Sequence, residues 1–421
     1  MKSIDVVDKK SGSELKVNFL DGFAKKIVLG ALKDIARGHL TIEDAGEVYV
    51  FGEPAATAEV VGHISVNHPS AYRQVMLNGT IGSGESYMQG AWISPDLVQV
   101  IRIFVMNMDV VSGMDSKWNF ALQWAGNLVH RFNANSKDKA KENIAAHYDL
   151  GNDFFQLFLD PTMLYSSAIY PNASASLHEA SLYKMDHICR RLGLTSSDHL
   201  LEIGTGWGGM AIHAAKTTGC KVTTVTISKE QYEHAKAWVE RDGLSEQIDV
   251  QLKDYRDIEG EFDKLLSIEM IEAVGYQYYG EYFQQCSKLL KNTGKMLIQA
   301  ITIADQRYHE ERDNVDFIQR YIFPGGCLPS NEVIAQHLRK DTDMQIIGLD
   351  DITFHYAKTL AAWKKSFYEN LDEVRSQGFD DVFIRMWDFY LSYCEGGFKE
   401  RVISTSQILM AKPDCRDLPS V

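Results

Sequence analysis

The chain has 421 residues, of which 45% are hydrophobic, so it is long enough for two domains with a substantial core. Its 43 basic and 57 acidic residues give a formal net charge of −14, which opposes nonspecific attraction to nucleic acid, and we expect no nucleic-acid partner. The six cysteines form no C-x-x-C pair and no zinc-type spacing, so we expect no disulfide, no metal site and a cytoplasmic location.

Residues 1–130 predict a small N-terminal domain of mixed α and β structure. Apolar patterns predict strands at 48–51 and 58–64, and an apolar stretch opened by a serine and a proline predicts a helix over 95–111. Burial of this helix within the small domain is favoured over contact with a membrane. A polar, charged stretch without apolar period predicts a linker at 131–142.

Strands and helices alternate through residues 143–421, which predicts an α/β catalytic domain. The order is that of a parallel, doubly wound sheet, whose ligand would bind at the carboxyl ends of the strands. A charged and aromatic insertion at about 303–340 is expected to fold over the substrate side. The predicted strands are 200–203, 222–227, 264–267, 295–301, 344–349 and 406–410.

The most informative segment is the glycine-rich stretch Leu200–Gly209, in which an apolar strand runs into clustered glycines and then a helix. Its spacing fits G-x-G-x-x-G, so a dinucleotide dehydrogenase has to be considered. Such an enzyme needs an acidic residue at the end of the second strand, where this chain has Thr226 and Ile227. Glu202, two residues before the first glycine, instead matches the S-adenosylmethionine (SAM) methyltransferases, whose ligand carries an ammonium group.

Five further segments match one family in sequence and in order. They are His147–Phe155, Leu164–Ala168, Val225–Gln231, Met270–Gly275 and Tyr321–Ser330. With the glycine loop they resemble the cyclopropane fatty acid synthases over about residues 85–412. The resemblance implies a class I SAM-dependent methyltransferase fold, Rossmann-like, and transfer of a methylene from SAM to a cis double bond in a phospholipid acyl chain.

The resemblance also implies a SAM site. Gly204 and Gly206 would face the methionine moiety, and the ring of Tyr165 near the sulfonium would gain cation–π attraction of ~0.5–2 kcal/mol. Two interpretations of Gln231 stay open, because it would either hold the SAM ribose or form a capping box by reaching back to Ser228. The implied SAM-binding residues are Tyr165, Ser166, Glu202, Gly204, Gly206, Thr226, Ile227, Gln231, Asp254 and Tyr255.

The reaction needs a base as well, because an alkene that attacks the methyl group leaves a carbocation, which must lose a proton to close the ring. In the family this base is a bound bicarbonate ion, so the resemblance implies bicarbonate as a second cofactor. Glu272 matches the glutamate that orients it, although a solvated carboxylate beside Glu269 is the alternative. The implied catalytic residues are Glu272, Tyr356, Gln299, Ser167, Ile301 and Cys394.

Three positions depart from the best-known bacterial members of the family. Ser167 replaces a cysteine whose backbone faces the bicarbonate, and Ala273 replaces a histidine. Gln299 replaces the bicarbonate-binding histidine, and its amide can donate a hydrogen bond but cannot carry a proton. These changes leave the product open.

Cyclopropanation is therefore the leading hypothesis. One alternative is a SAM-dependent fatty acyl methyltransferase that gives methyl-branched or methylene chains, and another is a lipid- or SAM-binding protein without catalysis. The resemblance also implies a homodimer that acts as a peripheral protein on the inner face of a phospholipid membrane.

Overall fold

The structure of the protein, a computed structural model, describes residues 19–110 and 150–417. The predicted linker at 131–142 and the start of the motif at His147 lie outside the described residues. The chain divides into two compact units. In the described ranges the first unit contains 19–110, 314–318 and 375–400, and the second contains 150–313, 319–374 and 401–417.

Helices and strands alternate over most of the described chain. The strands are β1 (His39–Asp44), β2 (Glu47–Gly52), β3 (Val61–Val66), β4 (Trp92–Ile93), β5 (His199–Ile203), β6 (Lys221–Thr226), β7 (Ile248–Leu252), β8 (Phe262–Ile268), β9 (Leu290–Ile303), β10 (Gln345–Asp351) and β11 (Ile403–Ala411). The helices are α1 (Phe19–Ala31), α2 (Ser70–Met88), α3 (Leu97–Met106), α4 (Asn152–Gln156), α5 (Leu177–Leu192), α6 (Gly209–Thr218), α7 (Lys229–Arg241), α8 (Tyr279–Leu289), α9 (Tyr308–Arg312), α10 (Phe317–Tyr321), α11 (Asn331–Asp341), α12 (Thr353–Glu369), α13 (Leu371–Ser376) and α14 (Asp381–Lys399). Among these helices, none has the length and apolar character needed to cross a membrane.

The first unit combines a four-stranded sheet with helices. The sheet has the order β2-β1-β3-β4, and β1 runs antiparallel to β2 and parallel to β3. Helix α3 packs against β3, and its Leu97 and Ile103 are buried, which confirms the interpretation of a helix inside the small domain. This helix begins two residues later than predicted, because the Asp96 side chain accepts a hydrogen bond from the Gln99 N–H and caps it.

A helix from late in the sequence completes the first unit. Helix α14 packs against α2 and α3. The Tyr87 hydroxyl donates to the Asp388 carboxylate, and the Arg385 guanidinium donates to the Met88 carbonyl at 2.7 Å. The sequence pattern, which assigns all of 143–421 to one domain, did not indicate that this helix would pack with the N-terminal residues.

The second unit contains a seven-stranded sheet of order β10-β11-β9-β8-β5-β6-β7. Strands β5 to β9 pair in parallel, whereas β11 is antiparallel to β9 and to β10. The predicted α/β class and doubly wound order are confirmed, but the sheet is mixed rather than parallel. Leu201, Leu265 and Leu297 are all 0% exposed, as expected for strands that are covered on both faces.

The register of the sheet brings several strand ends together. Ile203 of β5 pairs with Val225 of β6 and with Ser267 of β8, so the loops after these three strands leave the same edge. Gln299 of β9 pairs with Ile268 and reaches that edge as well. Open α/β sheets bind their ligands in the crevice outside the carboxyl ends of the strands. We therefore expect the functional site at this edge of the sheet.

A buried glycine of α2 tests the packing of the first unit. A Cβ at Gly84 would lie 2.4 Å from Cδ2 of Phe317, whose ring is fully buried. We expect Gly84→Ala to lower the free energy of unfolding by about 1–3 kcal/mol, measured by urea denaturation, because the ring has to shift within a packed core. Gly22→Ala on α1 is the control, since its Cβ meets nothing within 4 Å and alanine favours a helix by up to about 1 kcal/mol. Equal urea midpoints for the Gly84 variant and the native chain would contradict this packing.

Candidate active site

The glycine loop after β5 makes a turn that only glycine adopts easily. Gly204 has φ +98° and Gly206 has φ +52°. The N–H groups of Gly204 and Thr205 both donate to the Val225 carbonyl, at 3.0 and 3.1 Å, which holds the loop over the end of β6. A Cβ at Gly206 would meet no heavy atom within 4 Å, so the backbone there is open to close approach by a ligand.

Glu202 places a buried carboxyl group beside this turn. The residue is 3% exposed, and the Thr224 hydroxyl donates to its Oε2 at 2.5 Å. Burial raises the pKa of Glu202 to about 8, and the hydrogen bond from Thr224 opposes the shift. A nearby positive charge would favour the ionised form. The carboxyl is therefore suited to a ligand with an ammonium group.

The contacts at the end of β6 bear on the two interpretations of Gln231, the capping box and the ribose contact. Ser228 is the N-cap of α7, and its Oγ accepts a hydrogen bond from the Gln231 N–H at 3.3 Å. The Gln231 side chain does not complete a capping box, because its Oε1 accepts from the Thr226 hydroxyl at 2.9 Å. The amide is thus held at the carboxyl edge of the sheet, where Ile227 also lies. This position fits the ribose-binding alternative.

The Asp254 and Tyr255 pair lies beside the same edge. The Lys253 N–H donates to the Thr226 carbonyl at 2.9 Å, which anchors this loop to β6. The Asp254 carboxylate accepts from Arg256 Nε at 2.9 Å and from Nη2 at 2.8 Å, so its charge is already balanced. The role that the resemblance implies for Asp254 and Tyr255, to flank the adenine of SAM, stays a prediction.

Tyr165 belongs to a cluster of aromatic rings. Its ring centroid lies 5.2 Å from those of Phe155 and Trp363. Phe155 lies 4.9 Å from Trp207 of the glycine loop, and the Trp207 indole N–H donates to Asn152 at 2.7 Å. The segment with Tyr165 and the glycine loop are thus joined through α4, as a site that encloses SAM from both sides would require.

A carboxylate that the sequence analysis did not assign lies at the centre of the polar residues. Glu269 Oε1 accepts from the Ser167 N–H at 2.9 Å and from the Gln299 amide at 2.7 Å, and Oε2 accepts from the Tyr356 hydroxyl at 2.8 Å. Gln407 donates to Gln299 Oε1 at 2.9 Å and fixes the orientation of that amide. Three predicted residues therefore converge on one unpredicted carboxylate.

The backbone of Glu269 is also unusual. Its φ is +48°, in the left-handed region that a residue with a side chain rarely adopts. Conformations of this kind cost about 1–3 kcal/mol each and cluster at functional sites. The sequence signal that could have identified Glu269 is a second glutamate three residues before Glu272, within the apolar stretch after a buried strand.

Glu272 lies next to Glu269 but has different partners. Its Oε1 accepts from the Ile301 N–H at 2.5 Å, while Oε2 is buried and has no hydrogen-bond partner within residues 19–110 and 150–417. Burial, followed by the charge of Glu269, raises the pKa of Glu272 to about 8. The buried Oε2 and the hydrogen bond from Ile301 disfavour the alternative of a solvated carboxylate at Glu272. Two neighbouring carboxyl groups with raised pKa values are typical of sites that move protons.

The donors expected for bicarbonate are already engaged by protein carboxylates. The N–H of Ser167, the amide of Gln299 and the hydroxyl of Tyr356 donate to Glu269. The Ile301 N–H donates to Glu272. A second anion at these donors would face two buried carboxyl groups, so the residues present do not fit bicarbonate. Cys394 lies on α14 of the first unit and is not among the residues of this cluster.

Comparisons with known proteins identify the family of the chain. Residues 135–408 match the family model described as Mycolic acid cyclopropane synthetase. The chain is 37% identical over 356 residues to tuberculostearic acid methyltransferase UfaA1 of Mycobacterium tuberculosis, with 81% of each chain covered. It is 35% identical over 353 residues to the cyclopropane-fatty-acyl-phospholipid synthase of Escherichia coli (strain K12), covering 83% of this chain and 87% of that one. The structure of mycolic acid cyclopropane synthase CmaA1 complexed with SAH and CTAB is similar with a TM-score of 0.60 and 29% identity, covering 65% of this chain and 98% of that one.

The open backbone at Gly206 allows a matched test of the predicted SAM site. Gly206→Ala is expected to weaken SAM binding by about tenfold or more in calorimetry, because the added methyl group projects where the ligand approaches the turn. Gly243→Ala is the control, since Gly243 also has a positive φ, +69°, and a Cβ there also meets nothing within 4 Å. Both variants carry similar backbone strain, so only the first should lose SAM affinity. Equal SAM affinities in the two variants would remove Gly206 from the site.

Proposed function

Because the chain belongs to the mycolic acid cyclopropane synthetase family, we propose that it transfers a methylene group from SAM to the cis double bond of an unsaturated phospholipid acyl chain and forms a cyclopropane ring. Family membership identifies the chain as a SAM-dependent methyltransferase that modifies lipid acyl chains. The observation that carries the finer proposal is the half-buried Glu269, whose carboxylate accepts hydrogen bonds from three donors at the carboxyl edge of the sheet.

The residues around the glycine loop are suited to hold the cofactor. Bound SAM supplies an electrophilic methyl group on a positively charged sulfur. Glu202 would attract the amino group, and the Gly206 turn would allow the backbone to approach closely. Gln231 would orient the ribose from the end of β6, and the aromatic ring of Tyr165 would favour a cation nearby.

Glu269 is positioned to accept the proton that closes the ring. Attack of the alkene on the methyl group would form one carbon–carbon bond as the carbon–sulfur bond breaks and the demethylated cofactor leaves with that electron pair, and a carbocation would remain on the acyl chain. Glu269 then takes a proton from the added methyl group, and the electron pair of that C–H bond forms the second carbon–carbon bond. Gln299 and Tyr356 fix the carboxylate in one orientation, and burial raises its pKa, which strengthens it as a base.

Bicarbonate, the base that the family resemblance implies, is the competing assignment. Its expected donors are engaged by Glu269 and Glu272, which supports a protein carboxylate as the proton acceptor. Glutamine at 299 agrees with this assignment. Its neutral amide can hold a carboxylate through a hydrogen bond, but it offers no positive charge to a free anion.

A second candidate product is a methyl-branched or methylene-bearing acyl chain. The 37% identity to tuberculostearic acid methyltransferase UfaA1 supports this methyl-branched or methylene product. The 35% identity to a cyclopropane synthase supports the cyclopropane product to a similar degree. The two outcomes share the carbocation and differ in its fate, since a methylene product loses a proton without ring closure and a saturated branch also needs a reductant. The positive φ of Glu269, a kind of conformation that clusters at functional sites, favours an enzyme over a binding protein without catalysis.

We also propose a peripheral membrane location on the cytoplasmic side and a homodimer. Both proposals rest on the family resemblance and on a substrate that is part of a membrane. Flotation with phospholipid vesicles at low salt tests the first, and sedimentation equilibrium tests the second. Absence of binding to vesicles of every composition, or a monomer at all concentrations, would remove the corresponding proposal.

Analysis of the lipid products distinguishes the cyclopropane from the methylene and methyl-branched alternatives. Phospholipids with cis-unsaturated chains, incubated with enzyme and SAM, are expected to gain one CH₂ and to resist mild hydrogenation, as a cyclopropane does. Gas chromatography with mass analysis of the acyl methyl esters is the measurement. An unsaturated product of the same mass that takes up hydrogen would establish the methylene alternative. A saturated branched chain formed only with an added reductant would establish the methyl-branched alternative. Unchanged lipids would favour a binding protein without catalysis.

Substitution of Glu269 tests whether its carboxylate is the base that accepts the proton. Glu269→Ala is expected to lower turnover by about 10²–10⁴-fold while SAM affinity is kept, because the carboxylate acts on the reacting chain. The freed donors should accept a small anion, so added bicarbonate or formate should restore part of the activity. Glu261→Ala, an exposed glutamate before β8, should behave as the native enzyme. If the native enzyme loses activity in carbonate-free buffer and regains it with bicarbonate, Glu269 is not the base.

A further inference from the structure

Helix α5 carries a fully buried lysine that the proposed reaction does not yet use. Lys184 is 0% exposed, and its ammonium donates to the Ser166 hydroxyl at 2.7 Å. Lysine is almost never fully buried unless it is paired. Ser166 lies between Tyr165 and Ser167, which both belong to the candidate site. The lysine therefore reaches the active-site segment from the helix behind it.

The same face of α5 holds this segment at a second point. His178, Ser181 and Lys184 are spaced three residues apart, so they lie on one face of the helix. The Ser181 hydroxyl donates to Asp160 Oδ1 at 3.0 Å, and His178 Nδ1 lies 2.8 Å from Asp160 Oδ2. One helix face thus fixes both ends of residues 160–166. Ser167, the next residue in the chain, supplies the backbone N–H that donates to the Glu269 carboxylate.

One cation, the ammonium of Lys184, lies among several carboxyl groups in this region. Burial lowers the pKa of Lys184 to about 8, and the negative charges of Glu269 and Asp160 oppose that shift. Burial raises the pKa of Glu269, and the positive charge of Lys184 is the leading influence in the opposite direction. The other titratable groups that face Glu269 are Glu272, from the same loop, and Tyr356, from α12. Lys184 is the cation of this set.

We propose that Lys184 is a positioning residue, whose ammonium keeps the Glu269 carboxylate ionised and whose hydrogen bond to Ser166 fixes the neighbouring Ser167 N–H. This inference rests on the proposed function, in which Glu269 is the base. A carboxylate in a nonpolar site with no cation nearby takes up a proton, and it then can no longer accept one from the substrate. The buried ammonium supplies that cation without touching the reacting atoms.

The pH dependence of kcat/KM separates the two roles of Lys184. Glu269 works in its ionised form, so activity is lost as the pH falls through its pKa. Lys184→Met removes the stabilising cation, which raises that pKa, and the acidic limb should move to higher pH by about one unit or more. Lys184→Arg keeps the charge and should keep the limb in place with a lower maximum. Ser166→Ala should also keep the limb and lower the maximum, because it removes only the hydrogen bond.

A second buried lysine controls for effects on folding. Lys295 is 1% exposed, and its ammonium donates to Asp417 at 2.6 Å, so Lys295→Met also deletes a buried, paired charge. It should lower the thermal midpoint without moving the acidic limb. SAM affinity by calorimetry should stay within about threefold in Lys184→Met. An acidic limb that stays in place in Lys184→Met would overturn the proposal, as would an equal displacement in Lys295→Met.

Infrared spectroscopy can follow the protonation of Glu269 separately from the enzymatic reaction. The infrared band of the protonated Glu269 carboxyl, identified by its loss in Glu269→Gln, should titrate at a higher pH in Lys184→Met than in the native protein. This measurement requires no turnover. An inactive native enzyme with a displaced band would reject the proposed reaction and keep the charge pairing. An unchanged band position would reject the role of Lys184 whatever the activity.

Discussion

The candidate site depends on one constraint, that a buried carboxylate needs hydrogen-bond donors and a compensating charge. Glu269 receives a backbone N–H from Ser167, an amide from Gln299 and a hydroxyl from Tyr356. Each donor comes from a different part of the second unit, so the folded sheet and its helices have to bring them together. The left-handed backbone at Glu269 is tolerated because these interactions determine its position.

The sheet supplies the rest of the arrangement through its register. Because β5, β6 and β8 end at the same edge, the glycine loop, the Thr226–Gln231 pair and the loop with Glu269 all open toward one crevice. The predicted cofactor residues therefore lie on the side of β5 and β6, and the proposed proton acceptor lies on the side of β8 and β9. In the proposed reaction, the methyl group held by the first set would face the second set across this edge of the sheet.

Features set by short stretches of sequence were predictable, and features set by distant contacts were not. The alternation of strands and helices, the turn at Gly204 and the cap at Ser228 depend on neighbouring residues, and the structure contains all three. The antiparallel direction of β11 and the place of α14 in the first unit depend on contacts far along the chain. Glu269 was missed for the same reason, because its partners Gln299 and Tyr356 lie 30 and 87 residues away.

The glutamine at 299, a departure from the bacterial pattern, acquires a specific partner in the structure. A glutamine at 299 in place of a histidine removes a group that could carry a positive charge, which would weaken the binding of a free anion. Here the same amide donates to Glu269, an anion that is attached to the chain and cannot dissociate. The covalent attachment removes the entropic cost of capturing an ion, so a neutral donor is sufficient for orientation. With glutamine at 299, the Glu269 carboxylate receives no positive charge from that position. In our proposal the buried ammonium of Lys184 supplies the positive charge that favours its ionised form.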